Sequence, residues 1–261
     1  SETITYHNNS PDTLNYLWLQ LDQNIFKPDS DANTTVTYPS RDAWKNPNAM
    51  SFTAMHTLNE KEKFDGGFKI GTVKAANGQA LKYVINRAMM RIDLPQSLKP
   101  GEKFTFSLDW KHNINDGMVL WARTGYEHFK EDKNDIFEIA HWYPRMAAYY
   151  DVYGWQHKQF LGSGEFTLEF GDFDVQITLP GDHVVSATGE LNNPDAVLSA
   201  IQRERLAQAR NASKPVLIVT QAEAEKAEKS RATSQKTWHF KAKNVRDFAW
   251  ATSRKYIWDA Q

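Results

Sequence analysis

FEIAHWYPRMAAYYDVYG, residues 137–154, runs without a break into WQHKQFLGSGEFTLEFGDFDVQITLP, residues 155–180. The second half alternates. Phe166, Leu168 and Phe170 share one parity, and Val175, Ile177 and Leu179 share one after a turn expected at Gly171-Asp172. Period two is the mark of a half-buried strand, so residues 154–180 are predicted to hold two strands. The first half is different. It crowds aromatic rings around His141, Pro144 and Arg145. Pro144 fixes its own φ and drives Tyr143 to an extended conformation, so an ordered corner is expected there.

Outward from this stretch the same alternation recurs. Strands are predicted at Thr3–Tyr6, Leu14–Leu21, Phe68–Lys74, Ala80–Ile85, Arg87–Leu94, Lys103–Trp110, Val184–Gly189, Val216–Thr220, Lys236–Ala242 and Phe248–Thr252. Turns fall at Asn8–Asp12, Asp65–Gly67 and Lys99–Gly101, and residues 28–41 read as a polar surface loop. Asn77-Gly78 reads as a type I′ hairpin turn, because both residues tolerate positive φ. This spacing of strands and turns is that of an all-β sandwich or curved sheet.

The pattern changes at Asn193. Asn193 as cap, Pro194 at the first helical position and Asp195 in the first turn predict a helix running to about Asn211. Val197, Leu198, Ile201 and Leu206 follow at helical spacing. Residues 221–232, QAEAEKAEKSRA, lack a strong apolar face and read as an exposed short helix or a loop.

Composition excludes several functions. Lys plus Arg total 31 and Asp plus Glu 32, which removes the basic footprint of a nucleic-acid binder. With no Cys there are no disulfides, thiolate metal sites or Cys nucleophiles. Absence of Cys does not fix a compartment. No apolar run reaches the length of a membrane span. Ser1 falls directly at a strand, so an excised fragment is the expectation.

Chemistry-bearing motifs are weak. None of the His residues is followed by Glu and no two stand four apart, so no zinc pair of the HExxH kind is present and a metal site is not expected. Gly162-Ser163-Gly164 is a tight turn more simply than a nucleophile elbow. Glu165 and Glu169 share a strand face, where solvated carboxylates are ordinary. Trp142, Tyr143, Tyr149, Tyr150, Tyr153 and Trp155 read as core packing for the most part. The rival is a set of platforms in a free-standing carbohydrate- or protein-binding β-sandwich module.

Several ordered runs then carry a resemblance. Ala140, Trp142, Tyr143, Pro144, Arg145, Met146, Ala147, Tyr149, Asp151, Val152, Gly154 and Trp155, with the runs Gly162–Pro180, Ala187–Leu191 and Asn244–Lys255, resemble the N-terminal β domain of the bacterial aminopeptidase N family of zinc metallopeptidases. The chain departs at His141, where that family usually has Gln, and at Tyr150, where Asp is usual. The resemblance implies a mainly β domain of saddle-like, curved antiparallel and mixed sheets over residues 1–261, truncated at its first strands. One or two short helices are expected within a helical insertion at about 193–234. It implies zinc in a catalytic domain absent here, with no cofactor and no catalytic residue in this chain, which alone is expected to be inactive. The implied partners are that catalytic domain and a peptide substrate. The parent is expected to be periplasmic or extracytoplasmic. By position His141 takes the place of the family's cleft residue, with Glu138 and Trp142 beside it as candidates. Tyr143, Pro144, Arg145, Asp151, Gly154 and Trp155 are expected to build the motif, with Arg145 bonded to backbone carbonyls or to a carboxylate such as Asp151.

Overall fold

A computed structural model describes residues 1–35, 51–120, 122, 124–162 and 167–261. The chain is mainly β and forms two compact units. Ser1–Asn115 and His141–Glu169 make the first, and Asp116–Ala140 with Phe170–Gln261 the second.

The first unit holds two larger sheets. In one, Lys103–Lys111 lies between Glu2–His7 and Lys69–Ala75. In the other the order is Tyr83–Asn86, Met89–Leu98, Leu14–Gln20, Arg145–Met146. Period-two alternation sends Leu17, Leu19, Met90, Ile92, Phe106 and Leu108 into one core, each at most 1% exposed. Burying such side chains is worth about 1.5–3 kcal/mol each. A ribbon of Tyr149–Tyr150 and Gly154–Trp155 adds Trp155 to this core.

The second unit has a four-stranded sheet ordered Val184–Ala187, Trp250–Ser253, Asn134–Ile139, Gly125–Phe129. A three-stranded sheet places Gln235–Val245 between Gly171–Pro180 and Glu190–Leu191, and Val216–Val219 pairs with Trp258–Ala260. Every ladder among the described strands is antiparallel. No described helix is long and apolar enough to cross a membrane.

Several expectations need correction. Asn77-Gly78 is not a type I′ turn: Gly78 has φ 85° while Asn77 stays outside the left-handed region. Gly78 N–H donates to Ala75 O (2.8 Å) and Ala75 N–H to Gln79 O (2.9 Å), the pattern of a type I turn closed by a left-handed Gly. Residues 167–170 are not a strand, Phe166 lies outside the described residues, and Gly171-Asp172 opens the strand Gly171–Pro180 through a bulge instead of turning. A short helix, Asp31–Thr35, occupies part of the expected 28–41 loop, and residues 36–41 lie outside the described ones. The helix Phe52–Lys63, capped by Ser51, has no counterpart in the sequence reading, because it buries no residue and so carries no apolar stripe. The helix expected over 194–211 is two: Pro194–Val197 ends at Leu198, and Ala200–Ala209 starts afresh on a Ser199–Gln202 capping box. Asn193 stands at the N-cap, with Pro194 and Asp195 following as expected, but its side chain makes no cap hydrogen bond. Its side chain instead donates to Thr237 O (2.9 Å) and accepts from His239 N–H (2.9 Å).

Candidate functional site

The corner at residues 141–145 is built from two directions. Pro144 keeps the backbone extended into Arg145–Met146, whose register on Leu14–Gln20 pairs Gln20 with Arg145 and Leu19 with Met146. This sets the Arg145 guanidinium beside the residues that follow that strand. Arg145 Nε donates to Asp22 Oδ2 at 2.9 Å, and Nη2 to Gln20 Oε1 at 3.3 Å. The two side chains of the ion pair are 6% and 1% exposed. At the other end of the corner Gln23 Nε2 donates to His141 O at 3.0 Å. Asp22, Gln23 and Asn24, all buried, lie in the 3-10 turn Asp22–Phe26, so one short polar segment grips both ends of the corner.

His141 itself has φ 53°, a left-handed conformation that costs a residue with a Cβ about 1–2 kcal/mol. Its ring meets Phe160 edge-on, with centroids 5.6 Å apart, and stays half-buried. Trp142 is half-buried too, and packs edge-on against Trp110 (5.6 Å) and Tyr143 (5.2 Å). Trp110 in turn stacks on His112 at 5.9 Å. Burial holds the His112 imidazole below its ordinary pKa, against the opposing hydrogen bonds to the Asn113 and Trp142 backbone. The corner is thus backed by a ring cluster whose burial disfavours the charged form of His112.

The remaining candidates are scattered. Tyr143 is buried at 8%. Asp151 is exposed in the turn of the Tyr149–Gly154 ribbon, so the carboxylate at Arg145 is Asp22 and not Asp151. Gly154 has φ 71°, and a Cβ there would stand 3.4 Å from the Tyr149 ring, which accounts for Gly at this point of the motif. Trp155 packs on Tyr149 (5.1 Å) and Tyr6 (5.8 Å). Glu138 belongs to the second unit, exposed on the strand Asn134–Ile139, where burial and the Glu138 charge push the Tyr256 hydroxyl up to about 12. His141 and Trp142 belong to the first unit.

Sequence reasoning missed Gln20, Asp22, Gln23, Trp110 and His112. One signal was available: Gln20, Asp22, Gln23 and Asn24 are polar residues at and just past the end of an apolar strand, and polar side chains that end up buried do so to satisfy partners. Among the described residues no three His, Asp or Glu side chains gather as metal ligands.

No family model matches this chain, and no curated protein matches it. Among solved structures it is similar to the M1 zinc metallopeptidase of Deinococcus radiodurans, at 12% identity and a TM-score of 0.42, over 96% of this chain and 37% of that one. A variant of that enzyme bound to a Tyr-Ser-Ala substrate gives the same figures. A two-domain M1 zinc metallopeptidase variant bound to L-tryptophan is similar at 10% identity and a TM-score of 0.41. The chain therefore spans a little over a third of the structures it resembles.

Proposed function

We propose that this chain is a non-catalytic β domain of a zinc aminopeptidase-like protein, in which His141 lies on one wall of a peptide cleft and a separate domain carries the zinc. The observation that carries this reading is the corner at residues 141–145. Arg145, Tyr143 and Pro144 are buried, yet His141 is left half-exposed in a costly left-handed conformation. Strained residues held in place by a buried frame concentrate at functional sites. The ordered run from Ala140 to Trp155 in the sequence supports the same reading. A neutral imidazole offers one donor and one acceptor to the amino end of a peptide, whereas a protonated one repels an ammonium.

The test uses the protein in which this domain is joined to an HExxH domain. His141→Gln is expected to leave zinc content unchanged and to alter the Michaelis constant for aminoacyl substrates severalfold. Kinetics equal to the parent across pH 6 to 8 reject the role of His141. The 261-residue chain alone is expected to hydrolyse no aminoacyl substrate, and stoichiometric zinc retained through dialysis would reject the non-catalytic reading.

A second reading, a carbohydrate- or protein-binding module, rests on Tyr153, which is 76% exposed with Tyr150 packed edge-on at 6.2 Å. Among the described residues no Trp is exposed to that degree. Glycan binding abolished by Tyr153→Ala would favour this second reading.

A further inference from the structure

We propose that Gln23 is a positioning residue: its side-chain amide, bonded to the His141 carbonyl, is what holds His141 in the left-handed conformation. The functional meaning of this clamp rests on His141 lining a cleft; its physical existence does not.

Among the described residues three non-glycine residues besides His141 have positive φ: Arg87, Lys133 and Asn244. Each has a local reason. Arg87 lies in the tight turn between Tyr83–Asn86 and Met89–Leu98, and Lys133 in the one between Gly125–Phe129 and Asn134–Ile139. Asn244 sits where the pairing of Gly171–Pro180 with Gln235–Val245 slips at a bulge. Turns and bulges demand such conformations of their own accord. His141 has no such reason. It lies in neither a hairpin nor a ladder, between strands that belong to different sheets. A hold from a distant part of the chain does reach its backbone.

Gln23 supplies that outside hold. It is 2% exposed, and a buried amide is costly unless bonded. Its Nε2 reaches the His141 carbonyl from 118 residues away in sequence, at 3.0 Å. The anchor does not drift, because Gln20 and Asp22, just ahead of it in the chain, grip Arg145 at the far end of the same corner. With the carbonyl captured, the peptide after His141 is oriented, and the imidazole is set against the edge of Phe160.

The test is a double-mutant cycle in the 261-residue chain, read by denaturant unfolding. Glycine tolerates positive φ and alanine does not. His141→Ala is therefore expected to unfold with an equilibrium constant roughly five- to tenfold larger than His141→Gly. Gln23→Met keeps the length and removes the donor. In that background the ratio is expected to fall toward one, because residue 141 relaxes to an extended conformation. A ratio unchanged by Gln23→Met overturns the proposal. If Gln23→Met does not fold, proton exchange of the Gln23 side-chain amide in the parent decides. Exchange much slower than that of an exposed amide supports the clamp, and exchange at the exposed rate overturns it. A collapsed ratio together with unaltered peptide kinetics for His141→Gln keeps the clamp and removes the cleft reading.

Discussion

Each unit of this protein closes on an arginine–aspartate pair, and the two pairs are built differently. In the first unit Arg145 Nε stands 2.9 Å from Asp22, with side chains 6% and 1% exposed. Asp22 Oδ1 and Gln20 Nε2 beside it have no hydrogen-bond partner among the described residues. In the second unit Arg254 Nε stands 2.9 Å from Asp182, with side chains 15% and 8% exposed. There the aspartate also accepts from Ser230 Oγ (2.6 Å) and Ala232 N–H (2.7 Å). Burial alone would raise the Asp182 pKa, but Arg254 and these two donors outweigh it and hold the carboxyl well below the usual range. The first pair is deeply buried, and Gln20 also accepts from the Arg145 guanidinium. The second gathers Arg254, Ser230 and Ala232 on one oxygen, Oδ2, while Oδ1 has no hydrogen-bond partner among the described residues. Buried pairs of the first kind specify geometry more than they add stability, while the second kind makes stability depend on pH.

The largest effect expected from this contrast follows from breaking the first pair on one side. Arg145→Met leaves the Asp22 carboxylate buried and unpaired, and should destabilise the first unit by about 3–5 kcal/mol. Pairing it with Asp22→Leu should recover much of that loss in urea unfolding, because no charge is then stranded. If the double substitution is no more stable than the single, the loss comes from packing and not from the stranded carboxylate.

The second pair should respond more mildly and with a pH signature. Asp182→Asn is expected to cost about 2 kcal/mol at pH 7, the worth of hydrogen bonds to a charged acceptor. The folded pKa of Asp182 is depressed, so its contribution is present above the unfolded value of about 3.9. It is lost as pH falls from there through the folded value. Acid unfolding of Asp182→Asn should therefore be flatter below pH 4 than that of the parent, and curves of equal slope would show that Asp182 is not the group being titrated.

Glu2 has the opposite sign. Burial pushes its carboxyl up to about 8, against the lowering influence of the N-terminal ammonium, and Oε1 has no partner among the described residues. The unfolded chain ionises Glu2 at about 4.3, so stability falls as pH rises from there to about 8 and is level above. Glu2→Gln should gain about 1–2 kcal/mol at pH 8, at the low end because terminal strands fray, and nothing at pH 4. Equal midpoints at both pH values would place Glu2 in water.

Smaller still are the helix caps of the second unit. Ser199→Ala and Thr220→Ala each remove one half of a capping box and should cost about 1 kcal/mol. Thr220 should be the costlier, because Glu223, which it caps, is also paired with Arg205 at 2.6 Å. Thermal unfolding of the two variants side by side ranks them.

How much of this could be read in advance differs from place to place. Strands with clean alternation, such as Lys103–Lys111 and Leu14–Gln20, were legible because one face of each is buried and period two is a local pattern. The short helix Gln221–Ala227 was half-legible. Its weak apolar face left helix and loop open, and the Thr220–Glu223 capping box, with Glu223 also paired to Arg205 of another helix, goes with the helix. Phe52–Lys63 and Asp31–Thr35 were not legible, since a helix that buries little leaves no stripe. At the candidate site the corner itself was visible from Pro144 and the surrounding rings, while its anchors Asp22 and Gln23 were not.

The sequence by itself determined that this is a mainly β protein with an ordered corner at residues 141–145. Hydrophobic period and proline geometry act over a few residues and need no partner. Only the tertiary structure decided which carboxylate meets Arg145, which amide captures the His141 carbonyl, and that Glu138 falls in a different unit from His141 and Trp142. Asp22 and Arg145 are 123 residues apart in sequence. Nothing local distinguishes Asp22 from Asp151 as a partner. The choice is made by strand register, which brings Gln20 opposite Arg145 and leaves a buried guanidinium within reach of one carboxylate and not the other.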